Sequence, residues 1–232
     1  ADIGSEHDGY KRGIKANERV FYYDASKNWW APEGKPSEMS EGQPGGPDSE
    51  VFYLFENVEH DEKWGKNCHP NCDCGRFMEI GNSVFMEYVR TKTGFDKLPS
   101  QNVDFGGGLE RIAAAKINSP DVFKISILLP IIESLEKLSG KKYEQHTNAM
   151  RVIADHLRGA VWLAVDDVVP SNKEQGYVAR RLMRRAIRFA FELGIEQNFV
   201  QEIVPVIVGL YEKDFPEIAN SKQKVIDTLV RE

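Results

Sequence analysis

The sequence predicts an α+β protein in which a region of strands and long loops precedes an all-helical domain. The first part contains short β-branched and aromatic runs separated by polar and glycine-rich stretches. From Leu109 onward, apolar residues recur at the spacing of a helix face. We therefore predict two domains, residues 1–116 and residues 117–232.

Three segments of the first domain have the composition of strands. They are residues 19–23, 49–55 and 77–89. A Gly/Pro-rich loop over 31–48 separates the first two, and a polar loop over 59–75 separates the last two.

The second domain is predicted to consist of helices joined by short turns. Gly140 and Gly194 each follow a periodic segment, as glycine does at helix C-termini. The predicted helices cover residues 120–138, 147–165, 174–193 and 199–211, and a fifth begins after Ser221.

The composition excludes several classes of protein. Lys and Arg total 30 and Asp and Glu total 36, a net charge of −6, so RNA binding would need a local basic patch. No apolar run approaches the roughly 18–20 residues that cross a bilayer, and no secretory signal pattern opens the chain. The 3 cysteines are too few and too close for a disulfide framework. We expect a cytoplasmic protein without a membrane partner.

A glycine-rich segment at 103–111, Val-Asp-Phe-Gly-Gly-Gly-Leu-Glu-Arg, lies where strand character gives way to helix. Glycines let the backbone approach a ligand closely, and the N–H groups at a helix start attract anions. Arg111 can present a planar, permanently charged fork to a triphosphate, and Asp104 can bind an ammonium group. From these residues alone, a glycine-rich turn that begins an ordinary helix remains an alternative.

The predicted helix at 174–193 is strongly basic. Its arginines at 181, 184, 185 and 188 are three or four residues apart and therefore share one face. Phosphate binding is the functional interpretation of that face, and pairing with carboxylates of neighbouring helices is the alternative. Asn172 precedes the helix in a Pro-Ser-Asn loop, where an asparagine often caps a helix.

The cysteines fall within one short loop. Clustered thiolates favour zinc, with a histidine as the fourth ligand, and we predict the ligands Cys68, Cys72, Cys74 and His69. His60 is an alternative fourth ligand. Three free thiols in a surface loop are the other interpretation.

Several motifs, in order along the chain, resemble alanyl-tRNA synthetases. The string at 103–111 resembles motif 3 of class II aminoacyl-tRNA synthetases. Phe-Met-Glu-Ile-Gly-Asn-Ser-Val-Phe-Met at 77–86 resembles a strand of the alanyl family, with Gly81 where that family usually has Trp. Residues 98–104, 151–158 and 170–186 resemble further alanyl motifs, and residues 28–30 and 46–53 do so more loosely.

The resemblance implies a fold and a function for each part of the chain. Residues 1–116 would be the C-terminal half of the catalytic domain, built on an antiparallel sheet, and residues 117–232 a helical domain that recognises the tRNA acceptor stem. The family is a ligase of protein biosynthesis that forms alanyl-adenylate from alanine and ATP with Mg²⁺. It then transfers alanine to tRNA-Ala.

The same resemblance implies roles for particular residues. Asp104 would hold the alanine ammonium group, and Asn82 the polar end of the amino acid. Trp30 and Val84 would surround its methyl group, with Gly106 leaving room. Arg111 would bind ATP and Glu79 would help to place Mg²⁺. In the helical domain, Asn172 would read the G·U wobble pair of the acceptor stem, and Arg180, Arg181 and Arg184 would contact the RNA.

Class II synthetases also need motif 1 and motif 2, which the alanyl family places upstream of this region. We find neither, and we expect that this chain alone does not activate alanine. Two alternatives follow for its function. One is a non-catalytic RNA-binding module derived from a synthetase, and the other is a zinc-stabilised interaction domain with no role in RNA binding.

Overall fold

The structure is a computed structural model, and it describes residues 12–15 and 17–232. The chain forms two compact units that divide between Val122 and Phe123. Within the described residues, the first contains a sheet and the α-helix that follows it, and the second contains helices but no strand. The prediction of an α+β fold with an antiparallel sheet followed by helices is confirmed.

The sheet of the first unit is a four-stranded antiparallel meander in the order β1-β2-β3-β4. Each strand pairs with the next one along the chain, so local hairpin pairing sets the topology. The strands are β1 Trp29–Trp30, β2 Pro44–Leu54, β3 Phe77–Arg90 and β4 Phe95–Gly107.

Several features of this unit differ from the prediction. Strand β1 was not predicted, and β2 begins at Pro44, within the loop predicted over 31–48. Residues 19–23 contain only an isolated β-bridge at Tyr22, because the backbone N–H of Tyr23 donates to the Asn28 side chain rather than to a strand. In addition, the sequence did not predict β4, whose Pro99 and paired glycines are unusual in strands. These residues are tolerated because β4 is an edge strand.

Seven α-helices lie within the described residues. One, α1 Leu109–Lys116, directly follows β4, and the others belong to the second unit. These are α2 Leu129–Ser139, α3 Thr147–Val165, α4 Glu174–Glu192, α5 Val200–Tyr211, α6 Pro216–Asn220 and α7 Lys222–Leu229.

The helices largely follow the predicted ranges, but α6 was not predicted and the start of α2 differs. This helix begins at Leu129 rather than near Pro120, and Pro130 occupies its first turn, where a missing N–H costs nothing. Gly140 ends α2 in the left-handed conformation, at a φ of 68°, as its position predicted.

The core of the second unit is built around α3 and α4. Small buried side chains, including Ala154, Ala160 and Ala186, let helix axes approach closely. Larger apolar residues fill the space around them, among them Met150, Ile153, Leu157, Met183, Ile203 and Ile207. Among the described helices, none combines the length and the apolar character needed to cross a membrane.

Candidate functional site

The predicted alanine-binding residues of β3 and β4 lie on one face of the sheet. Asn82 is directly opposite Gly106, and Val84 is directly opposite Asp104. Side chains two residues apart on a strand share a face, and so do directly opposed residues. The structure therefore brings Asn82, Val84, Asp104 and Gly106 together.

Strand β2 adds two carboxylates to this face that the sequence analysis did not single out. Asp48 is opposite Val84, and Glu50 is opposite Asn82. Nδ2 of Asn82 donates a hydrogen bond of 2.9 Å to Oδ2 of Asp48. The two acidic residues at 48 and 50, two positions apart, were the available signal, but the register that places them beside Asn82 is not visible in the sequence.

A β-bulge brings Glu79 to the same face. The pairing shifts by one residue between Val51 and Phe52, so that Phe52 is opposite Glu79 rather than Ile80. Phe52 lies two residues from Glu50, and Glu79 therefore shares the face of Glu50. In a regular strand, Glu79 and Asn82 would point to opposite faces.

Burial, aided by neighbouring charges, raises the pKa of two acids on this face, Glu50 and Asp48. Burial, together with the neighbouring charges of Glu79 and Asp48, raises the pKa of Glu50 to about 7. Burial also raises the pKa of Asp48, against the hydrogen bond from Asn82. Three buried oxygens here have no hydrogen-bond partner within the described chain: Oδ1 of Asp48, Oε2 of Glu50 and Oδ1 of Asn82. Such a set of unsatisfied acceptors suits a cationic or hydrogen-donating ligand.

The remaining predicted alanine-site residues border this cluster. The carboxylate of Asp104 is exposed, and its Oδ1 accepts a hydrogen bond of 2.9 Å from the backbone N–H of Phe105. A Cβ added at Gly106 would meet no atom within 4 Å, so the space above it is open. Val84 is buried. Trp30 lies on β1 opposite Gly46 and is 37% exposed.

The other face of the sheet carries an unusual pair, Gly81 and Phe105. A Cβ added at Gly81 would lie 2.9 Å from Cζ of Phe105. The aromatic ring therefore covers the position where the alanyl family usually has Trp.

Arg111 and Glu79, the two residues predicted for ATP and Mg²⁺, are in contact. Arg111 lies in the first turn of α1, immediately after the glycines that end β4. Its NH1 donates to the Glu79 carboxylate at 3.0 Å and to the Glu79 backbone carbonyl at 3.2 Å. Both side chains remain partly exposed, so a ligand can reach them.

Helix α4 of the second unit has an exposed basic face. Arg181, Arg184, Arg185 and Arg188 are all exposed, and none forms an ion pair with a carboxylate in the part of the chain that the structure describes. The alternative in which neighbouring helices neutralise this face does not hold for these four residues. We call these four residues the arginine face.

Asn172 lies at the start of α4 but does not cap it. The first turn of α4 has no side-chain cap, and Oδ1 of Asn172 instead accepts a hydrogen bond of 2.6 Å from Arg180. Arg180 also pairs with Glu232 at 2.7 Å. Gly176 holds the Pro-Ser-Asn loop close to the helix, since a Cβ there would lie 2.6 Å from the carbonyl oxygen of Val169.

The thiols lie together with a histidine, but that histidine is His60. Nδ1 of His60 and the sulfurs of Cys72 and Cys74 all lie within 4.8 Å of one another. The sulfur of Cys68 is 3.9 Å from that of Cys74. His69, the histidine chosen from the sequence, is not in this group. It is buried, and its Nδ1 forms a hydrogen bond of 3.0 Å with the Tyr23 hydroxyl.

The thiols differ in acidity. Partial burial, reinforced by the neighbouring Cys74, raises the pKa of Cys68 to about 11. Burial acts against ionisation of Cys74 as well, but hydrogen bonds from His60, from the Arg76 backbone and from the other thiols outweigh it and lower the pKa of Cys74.

Comparison with known proteins relates these features to one family. The family of tRNA synthetases class II (A) matches residues 6–232. An alanine–tRNA ligase of Shouchella clausii is 38% identical over 200 residues, which are 86% of this chain and 23% of that ligase. One of Desulfosudis oleivorans is 36% identical over 224 residues, 94% of this chain and 24% of the ligase. One of Borrelia hermsii is 36% identical over 211 residues, 88% of this chain and 34% of the ligase.

The chain thus spans a quarter to a third of the length of these ligases. The match covers the whole sheet face and the arginine face. From its sheet to its last helix, this chain belongs to the tRNA synthetases class II (A) family.

Proposed function

We propose that this chain is part of an alanine–tRNA ligase, containing half of the adenylating site and a domain that binds the acceptor stem of tRNA-Ala. The observation that carries the proposal is the shared face of β2, β3 and β4, which gathers polar, acidic and open positions beside Arg111. In the reaction, the alanine carboxylate attacks the α-phosphorus of ATP and pyrophosphate leaves; a hydroxyl of the terminal tRNA ribose then attacks the alanyl carbonyl, and AMP leaves.

The face suits a small amino acid. Its carboxylates attract the ammonium group, which in this proposal is held by Asp104. Asn82 has a free acceptor at Oδ1 for a donor on the ligand. Val84 and Trp30 provide apolar surface for the methyl group, and Gly106 leaves open space for the substrate.

Arg111 and Glu79 suit the nucleotide. The guanidinium of Arg111 can bind phosphate oxygens with two parallel hydrogen bonds, and the helix N-terminus beside it favours an anion. Glu79 would help to place Mg²⁺, which prefers carboxylate and phosphate oxygens. The Arg111–Glu79 contact would keep both side chains oriented before ATP binds. The protein's part in the chemistry is then positioning and charge stabilisation.

The adenylate site is tested by calorimetric binding of a non-hydrolysable alanyl-adenylate analogue. Asp104→Ala should weaken binding by about tenfold to a hundredfold, because a charge-assisted hydrogen bond contributes roughly 1.5–3 kcal/mol. Asp96→Ala is the matched control, since Asp96 is also an exposed aspartate of β4 but lies at the far end of the strand. Equal affinities for the two variants would refute the role of Asp104.

We further propose that the arginine face and Asn172 bind the tRNA acceptor stem. Four arginines that form no ion pair with any described carboxylate, on an otherwise acidic chain, suit phosphate contacts. The Asn172 amide has a donor and an acceptor, which suits the base edges exposed in the shallow groove of A-form RNA. Arg180 orients that amide through its hydrogen bond.

Gel shifts with tRNA-Ala test this assignment. Arg184→Ala should weaken binding to all RNAs and reduce the slope of affinity against salt by about 1, whereas Lys137→Ala, which removes the same charge from α2, should not. Asn172→Ala should reduce the preference for tRNA-Ala over a version lacking the G·U pair. A variant that keeps full discrimination would exclude Asn172 from base recognition.

We also propose that the 232 residues alone do not activate alanine. The measurement is alanine-dependent exchange of pyrophosphate into ATP. Robust exchange by the isolated chain would contradict this, whereas tRNA binding without adenylate-analogue binding would favour the non-catalytic RNA-binding module.

A further inference from the structure

The long connection between β2 and β3 contains a cluster of chemically reactive groups that the proposed function does not use. It is closed at its base by a hydrogen bond of 2.8 Å from the Phe55 N–H to the Arg76 carbonyl. The backbone hydrogen bonds inside it are short-range turns, and the single regular element is a three-residue 3₁₀ turn, Glu62–Trp64. Connections of this length are uncommon in compact domains without a function or an additional constraint.

We propose that His60, Cys68, Cys72 and Cys74 bind one structural Zn²⁺ ion that fixes this connection. The proposal does not depend on the ligase function. His60 comes from the first half of the connection and the thiols from the second, so one ion would tie the two halves together. Three thiolates and one imidazole form a closed, four-coordinate zinc site.

Two distances between ligand atoms match tetrahedral zinc, and the Cys68 sulfur, which approaches Cys74 but lies outside the group of His60, Cys72 and Cys74, would have to move inward to complete the site. Bonds of about 2.3 Å to sulfur and about 2.0 Å to nitrogen place two sulfurs roughly 3.8 Å apart, and a sulfur and a nitrogen roughly 3.5 Å apart. The structure has 3.9 Å between the sulfurs of Cys68 and Cys74, and 3.7 Å between the sulfur of Cys72 and Nδ1 of His60. The sulfur of Cys74 lies within 4.8 Å of both Cys72 and His60.

The other ring nitrogen of His60 is held in the way that a zinc ligand requires. Nε2 of His60 lies 2.8 Å from the carbonyl oxygen of Gly65. A carbonyl oxygen can only accept, so Nε2 carries the proton. In the neutral imidazole, Nδ1 then has a free lone pair, and this is the nitrogen that faces the thiols. An outer hydrogen bond that fixes the tautomer and the ring orientation is characteristic of metal-bound histidines.

Metal analysis of the purified 232-residue chain tests the proposal directly. After dialysis, we expect one equivalent of zinc per chain, released when a mercurial reagent modifies the thiols. Co²⁺ in place of zinc should give the intense visible bands of a tetrahedral site and thiolate charge-transfer absorption in the near ultraviolet. A metal-free chain without a Co²⁺ spectrum would overturn the proposal, as would a Cys68–Cys74 disulfide that leaves one reactive thiol.

Variants identify the ligands. Cys72→Ser and His60→Asn should each lose stoichiometric zinc, whereas Asp73→Asn, which changes a charge between two ligands, should retain it. His60→Cys should retain zinc and strengthen the thiolate charge-transfer absorption of the Co²⁺ form, which separates ligation from folding. Zinc that persists in His60→Asn but is lost in His69→Asn would assign the fourth ligand to His69 and refute the site proposed here.

Discussion

Replacing Glu79 with glutamine should lower the pKa of Glu50, because the β-bulge of β3 places the two carboxylates on one face. Glu79 is opposite Phe52 and therefore diagonal to Glu50, a separation of roughly 7 Å between side chains. Two charges at that separation repel by about 1 kcal/mol at an effective dielectric constant of about 40, between the values for protein and for water. One pH unit corresponds to about 1.4 kcal/mol, so the pKa of Glu50 should fall from about 7 by somewhat less than one unit in Glu79→Gln.

The assay is an NMR titration of the carboxyl carbons in protein with labelled glutamate. Glu56→Gln is the matched control, because Glu56 is an exposed glutamate in the connection after β2. If Glu50 titrates near the ordinary glutamate value of 4.5 in the unmodified protein, the argument from burial and charge is wrong. If Glu50 titrates near 7 but Glu79→Gln leaves it unchanged, the bulge does not bring Glu79 to that face.

The raised pKa of Glu50 also has a consequence for stability. An acid whose pKa is higher in the folded state binds its proton more tightly there, so its contribution is present at low pH and is lost as pH rises from about 4.5 to about 7. The full shift would correspond to roughly 3 kcal/mol, which we reduce to about 1–2 kcal/mol because the side chain is only half-buried. Glu50→Gln should therefore unfold at higher urea concentration than the unmodified protein at pH 8, and the advantage should vanish near pH 4.

Three further predictions concern packing and are read from thermal or urea unfolding. Gly46→Ala should destabilise the sheet by about 3 kcal/mol or more, because a Cβ there would overlap the Phe85 carbonyl oxygen. Gly94→Ala, with open space around it, should cost less than about 1 kcal/mol. Equal costs for the two variants would contradict the close approach of the strands at Gly46. Gly176→Ala should cost about 1–3 kcal/mol of stability and should also weaken tRNA binding, since the Pro-Ser-Asn loop must move away from α4. Unchanged tRNA binding would show that the position of this loop does not matter for recognition. Leu157→Ala, at a fully buried position of α3, should cost about 2–5 kcal/mol of stability. Leu109→Ala, at a position that is 73% exposed, should cost little. A small loss of stability in Leu157→Ala would show that the helical core can collapse around the cavity.

The helical unit was more predictable from the sequence than the sheet. Local periodicity specifies helices such as α3 and α4, and a glycine follows each of α2 and α4. The bounds of α3 and α4 could therefore be read from the sequence within a residue or two. The start of α2 could not be read in this way. A turn built on the Ser119 side chain and a short 3₁₀ turn replace the first turns that were expected for this helix. Strand β4 was missed because its proline and glycines are acceptable only at an edge, and edge position is a property of the whole sheet.

The candidate site was predictable in part. Motif resemblance selected Asn82, Asp104 and Arg111, but it did not select Asp48 or Glu50. Their proximity depends on register, and a shift of one residue would point both carboxylates away. The histidine that lies beside the thiol cluster illustrates the same limit. His69 is adjacent to Cys68 in sequence, yet the fold turns its ring toward Tyr23 and brings in His60 instead.

The pairing of Gly81 with the ring of Phe105 makes these two positions dependent on each other. Tryptophan at position 81, which the resemblance to alanyl-tRNA synthetases leads one to expect, would require the Phe105 ring of the neighbouring strand to move, because a Cβ there would already lie 2.9 Å from its Cζ. Shortening Phe105 alone would leave the glycine uncovered. A redesign that treats positions 81 and 105 separately would therefore miss this dependence, whereas one that changes both residues together would account for it.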